Sequence, residues 1–176
     1  MNEIIKKNGI TYGVISGIVS ILIITIIYSI DLSLMIKWWV GITILAISIT
    51  LSLVMLSKTK KELKGNLTFK EAFTTYLIYS VIGILISVIF NIILFNFIDP
   101  SAKETLNELI LNFTKDIMQK MGAPASETNK ALKELATKDT YSVFEQLKGS
   151  VFSIGFNCLI GLILAAIFKT KTPENV

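Results

Sequence analysis

The stretch "LFNFIDPSAKETLNELILNF", residues 94–113, changes character at Asp99-Pro100. Before that pair the chain is apolar on every side; after it, charged and apolar residues alternate at helical spacing. Pro100 disfavours helical geometry at Asp99, so one helix ends or bends there. Ser101 with Glu104 fits a capping box that opens the next. Leu106, Leu109, Ile110, Phe113, Ile117, Met118 and Met121 then share one face at i, i+3, i+4, i+7 spacing, and Gly122 and Pro124 stop the helix. The pattern is that of a chain leaving a membrane and forming an amphipathic helix outside it.

Working outward, the rest of the chain supplies the membrane helices. Of 176 residues, 52% are hydrophobic and 17% charged, against about a quarter charged in ordinary soluble domains. Uncharged runs cover residues 10–30, 38–57, 72–98 and 149–168, with 21, 20, 27 and 20 residues. Each meets the roughly 20 residues needed to cross a ~30 Å hydrocarbon core. None carries the polar stripe that a bundle helix in water must present. The fold class is therefore all-α and integral to the membrane, a single domain over 1–176. It has four transmembrane helices and an extracytoplasmic amphipathic helical cap, residues 99–148, between the third and fourth. Within the cap a shorter second helix is expected over 126–138. The fourth helix is expected to begin near Asp139 or Thr140, with Tyr141, Phe144, Leu147 and Val151 along one side. That projecting start is expected to cover the inner half of the first cap helix, Phe113 included. The first apolar run exceeds the 7–15 residues of a cleaved signal and lacks a small-x-small site, so it reads as a retained anchor.

The lysines set an orientation. Lys6 and Lys7 precede the first span, Lys58, Lys60, Lys61, Lys64 and Lys70 lie between the second and third, and Lys169 and Lys171 follow the fourth. The positive-inside rule places these segments in the cytoplasm, so both termini are inside. That side holds nine lysines against Glu3, Glu62, Glu71 and Glu174, a net +5, and the other holds eight lysines against nine acids, a net −1. The overall +4 follows membrane topology, which argues against a nucleic-acid surface. Lys-Thr-Lys recurs at 58–60 and 169–171, Thr-Tyr at 11–12 and 75–76, and Ile-Asp at 30–31 and 98–99. A duplicated hairpin would explain the recurrence, but in an Ile-rich background coincidence is the simpler account.

Catalytic chemistry is hard to assemble from this inventory. There is no His, the commonest general base and metal ligand, and Cys158 stands alone. No acidic residue lies within a span, so a buried-carboxylate site lacks its central part. Ser16 in "GVISG" reads as a packing residue, and Ser57-Lys58 as a helix end. The expectation is no enzyme, no metal and no cofactor. The residues with most to say concern helix packing. Gly9, Gly13 and Gly17, extended by Ser20, line one face of the first helix, and Gly83 with Ser87 and Gly161 with Ala165 form further small faces. Such faces let backbones approach closely, within one bundle or between two copies. Asn91 and Asn157 lie at similar depth, within roughly 3 Å along the helix axes, and are expected to contact each other or to line a polar path. Phe113, Ile117, Met118 and Met121 are the candidate surface for a membrane or periplasmic partner or a second copy.

"NGITYGVISGI" (residues 8–18), "LTFKEAF" (67–73) and "FIDPS" (97–101) resemble a bacterial membrane family, domain of unknown function 4199, over nearly the whole chain. The resemblance implies a bacterial inner membrane and hence a periplasmic cap, and it supplies no catalytic residues. Two functions fit: a non-enzymatic accessory or scaffold subunit, or a small oligomeric transporter or channel. Topology is the first test. With Cys158→Ala as background, single cysteines at Asn66 and Asn129 should respond oppositely to an impermeant maleimide in cells with a permeabilised outer membrane. Position 129 should label and 66 should not; the reverse pattern refutes the orientation.

Overall fold

A computed structural model describes residues 2–170; Lys171, Pro173 and Glu174 lie outside the described residues. The chain forms α1 (Glu3–Ile30), a 3-10 turn (Leu32–Ile36), α2 (Trp38–Glu62), α3 (Phe69–Ile93), a π turn (Leu94–Ile98), α4 (Pro100–Lys120), α5 (Ala125–Ala136) and α6 (Val143–Phe168). No strand occurs among the described residues. Four helices are long and apolar enough to cross a membrane: α1, α2, α3 with its π turn, and α6. The protein is an all-helical bundle of membrane-spanning character.

Local chemistry accounts for the helix boundaries. At α1's end Asp31 is extended, and its carboxylate accepts from Ser33 N at 2.8 Å and Ser33 Oγ at 2.6 Å, capping the 3-10 turn. The α2–α3 link turns through Lys64 (φ 53°) and Gly65 (φ 86°). Thr68 and Glu71 then form the chain's capping box: Glu71 N donates to Thr68 Oγ1 at 3.2 Å and Thr68 N to Glu71 Oε2 at 3.0 Å. The capping box expected at Ser101 and Glu104 does not form. Asp99, one residue before Pro100, accepts from Ala102 N at 3.1 Å and from the Ser101 hydroxyl, so Pro100 takes the first helical position. Proline suits that position because its missing N–H would have no partner there. Gly122 (φ 72°) ends α4, and Ala123 N reaches back to Met118 O at 3.0 Å. The fourth membrane helix starts later than expected, at Val143. Asp139 is held in the preceding turn, and Ser142 caps the helix by accepting from Glu145 N at 3.3 Å.

Packing centres on α3. On one side it meets α1, which runs in the same direction. A Cβ on Gly9, Gly13 or Gly17 would lie 2.8, 2.9 or 2.6 Å from a side-chain carbon of Ile78, Ile82 or Ile86 respectively. Three glycines four apart thus receive three isoleucines four apart. In return Gly83 faces Ser16 and the Gly13 carbonyl. On its other side α3 meets α6, where Gly161 receives the Tyr76 ring, 2.6 Å from where a Cβ would sit. Around that contact Met55, Leu56, Leu67, Ala72, Tyr76, Tyr79, Leu164 and Ala165 form one core. Polar ties close the same end. The amide of the buried Asn8 donates to Thr59 Oγ1 (3.1 Å) and Glu62 Oε2 (2.8 Å). Thr170 N donates to Leu67 O, and Leu67 N to Thr170 Oγ1, both at 2.8 Å.

A second core holds α4 to the other end of the bundle. Leu94, Phe95, Ala102 and Leu106 are buried against Tyr28, Leu32, Met35, Leu109 and Tyr141. The cover over α4 is therefore the α1–α2 turn and Tyr141, and not the start of α6, whose Phe144 and Val151 are over 70% exposed. Phe113, expected to be covered, is 39% exposed.

The glycine contact generates a stability prediction. Gly13→Ile drives a branched side chain into Ile82 and the Tyr79 carbonyl, 3.0 Å from the Cβ position, and should cost about 1–3 kcal/mol. Gly155→Ala, whose Cβ meets nothing within 4 Å, should not lower thermal stability in detergent. Equal melting of the two variants would refute the tight contact.

Candidate functional site

Of the residues singled out from the sequence, the small faces meet their neighbours at two contacts, α1 with α3 and α3 with α6. Ser20 and Ser87 are the exceptions, because they line a cleft instead. Asn91 and Asn157 do not contact each other. Asn91 Nδ2 donates to the Ser87 carbonyl of its own helix at 2.8 Å. Asn157 Nδ2 does the same to Ser153 O at 3.0 Å, while its Oδ1 accepts from the Tyr76 hydroxyl at 2.9 Å. Equal depth did not pair them because each amide reaches the carbonyl four residues back without crossing a helix gap. Tyr76 was the signal available: a tyrosine inside a span needs a partner for its hydroxyl.

The cleft lies between α1, α2, α3 and α6 and encloses about 330 Å³. Its geometry follows from the packing. α3 is held against α1 and α6 by glycine contacts, whereas α2 is pinned by Met55, Leu56 and Thr59 in its second half. Along its first half α2 stands away, and Gly41, Ser48 and Leu51 face the gap. Ser16 and Ser20 enter from α1, Ser80 and Ser87 from α3, and Ser153 and Asn157 from α6. At the floor the Tyr79 hydroxyl donates to Ser48 O at 2.8 Å and lies 3.1 Å from Ser48 Oγ. Below it the buried core seals the recess. No Lys, Asp or Glu lines the walls. Sequence reading named four of these groups, Ser16, Ser20, Ser87 and Asn157, for packing or polar contact, and treated the rest as scattered. Their convergence depends on where α2 stands, which a helical wheel does not contain.

A second polar cluster lies at the end of the third span, where the π turn, α4 and the segment before α6 converge. Lys103 Nζ pairs with Asp139 Oδ2 at 2.8 Å, and Asn107 Nδ2 donates to Asp139 Oδ1 at 3.1 Å. Asn96 Nδ2 donates to Tyr141 O at 3.0 Å. Nearby, the Tyr28 hydroxyl donates to Asp99 Oδ2 at 2.8 Å, joining the end of α1 to the cap of α4. Partial burial would raise the Asp139 pKa. The hydrogen bonds from Lys103 and Asn107, with the lysine's charge, outweigh that and hold it below the ordinary 3.8. Asp99 is also held low, chiefly by hydrogen bonds from Ser101 and Tyr28. No group of three or more His, Cys, Asp or Glu arranged to hold a metal ion occurs among the described residues.

These lowered values fix a pH dependence. Each carboxylate contributes stability that is fully present above its ordinary pKa near 3.8 and is lost as pH falls through its lower folded value. Thermal unfolding followed from neutral into acid should show that loss, and Asp139→Asn should flatten it. An unchanged acid limb in the variant would exclude the Lys103–Asp139 pair as a contributor.

No curated protein and no solved structure matches the chain. The model of one family, described as "Protein of unknown function (DUF4199)", matches residues 11–170, and the chain belongs to that family.

Proposed function

We propose that the protein is a non-enzymatic accessory or scaffold subunit of a bacterial inner membrane, with both termini in the cytoplasm and α4–α5 in the periplasm. The observation that carries this reading is the free end of α4. Phe113, Ile117 and Met121 stay exposed on a helix that Asp99, Lys103 and Asn107 fasten to the bundle. A contiguous apolar patch outside the bilayer marks an interaction site. Methionine suits it, being adaptable to a partner's shape. The polar face of α4 mixes Lys103 and Lys115 with Glu104, Glu108 and Asp116, which weakens attraction to anionic lipid and favours a protein partner. The lack of His and of acidic residues within the spans supports a non-enzymatic role.

The transporter or channel reading draws on the serine-lined cleft. That recess ends on the core at Tyr79 and Leu51, so it suits binding better than conduction.

A photo-crosslinking residue at position 121, in native membranes, tests the scaffold reading. A discrete protein adduct is expected, lost on Ile117→Asp, while the isolated variant keeps its thermal stability within about 0.5 kcal/mol, as surface changes do. Lipid adducts alone from position 121 would overturn the reading.

A further inference from the structure

We propose that the cleft between α1, α2, α3 and α6 binds the uncharged, hydroxyl-bearing head group of a neutral lipid of the monoacylglycerol or diacylglycerol type. Its volume of about 330 Å³ lies at the small end of ligand sites, which run ~300–1,000 Å³. That is room for a head group and the start of its chain. The wall chemistry selects the head. With no Lys, Asp or Glu in the lining, an ionised head would enter without a counter-ion, a costly state at membrane depth. A head without hydrogen-bonding groups would cover the serine hydroxyls and satisfy none of them.

The hydroxyls themselves point to a ligand. On the outward surfaces of the spans, Thr25, Ser29, Thr43 and Thr50 each donate to the carbonyl four residues back, at 2.8–2.9 Å. Within the cleft, Ser80 donates to Leu77 O and Ser48 meets Tyr79. The hydroxyls of Ser16, Ser20, Ser87 and Ser153 have no hydrogen-bond partner among the described residues, and all four line the cleft. Each can donate and accept, which matches a glycerol head that does both. The chain has a way out: Gly41 and Leu45 line the cleft on α2 and are exposed, and a Cβ on Gly41 meets nothing within 4 Å.

The test uses the full chain in phosphatidylcholine nanodiscs with a photoactivatable monoacylglycerol as probe. Labelling is expected on residues 16–23 and 79–88, with competition by unlabelled monooleoylglycerol and none by oleate or methyl oleate. Gly41→Leu adds a side chain at the rim, with its Cβ clear of other atoms, and should cut labelling about tenfold. Ser20→Ala combined with Ser87→Ala should weaken competition about tenfold, as two lost hydrogen bonds would. Phe156→Leu, on the exposed face of α6, should change neither. Labelling spread over the outward faces of α1 and α6 and indifferent to both cleft variants would overturn the site. Equal competition by oleate or methyl oleate would overturn the head-group chemistry.

Discussion

The close approach of α1 and α3 is the constraint from which the rest of the bundle follows. In lipid, two apolar helices gain little from hydrophobic burial, since tails and side chains are alike, and association depends on close packing. Gly9, Gly13 and Gly17 open a groove along α1 that Ile78, Ile82 and Ile86 fill. Branched isoleucine is well suited to this, because its side chain loses little rotamer freedom when it is fixed. Once α3 is committed to α1 on one face and, through Tyr76 on Gly161, to α6 on another, α2 has no comparable groove to enter. Its one glycine, Gly41, faces open space. α2 is held by the Met55–Leu56 core and the Asn8–Thr59 bond at one end, and its free half becomes the wall of the cleft.

The opposite end is organised by two aspartates that do the same work. Asp31 and Asp99 each close a membrane helix and cap the next element. Each also accepts from the hydroxyl of the serine two residues on, Ser33 and Ser101. A helix end near a bilayer must satisfy its backbone groups locally, and an Asx cap does so within three residues. The Tyr28 bond to Asp99 then ties the two ends together. With Lys103 and Asn107 on Asp139, it makes α4 a rigid extension of α3. The π turn at Leu94–Ile98 fits this role, since it aims the buried Phe95 at the Tyr141 ring, 5.2 Å away at 63°.

What was legible in the sequence is what depends on neighbours along the chain. The four spans, the break at Asp99-Pro100, the stop at Gly122 and the glycine face of α1 all rest on local rules, and the helices stand close to where those rules put them. Errors arose where two local solutions competed. Ser101 with Glu104 satisfies the capping-box pattern, but an aspartate directly before a proline starts the helix two residues earlier, accepting from Ala102 N. The true box, Thr68-x-x-Glu71, carries the same spacing at the start of α3, where no competing aspartate precedes it. Asn91 and Asn157 failed for a different reason: equal depth says nothing about azimuth, and each amide had a nearer carbonyl. The uncovered face of Phe113 and Phe144 was also beyond reach, since it depends on the 3-10 turn folding under α4.

The hydroxyl groups extend that distinction from fold to function. A serine or threonine in a membrane helix normally turns back to the carbonyl of the preceding turn, which satisfies it and costs the helix little. The outward-facing Thr25, Ser29, Thr43 and Thr50 follow that rule, and sequence alone would have assigned the same to the cleft serines. Ser16, Ser20, Ser87 and Ser153 in the cleft depart from it. In an environment without water such departures are disfavoured unless another partner is at hand. Four departures on three helices, converging on one recess, are hard to attribute to the separate helices. They are a property of the assembled bundle, produced by the same glycine contacts that leave α2 standing apart.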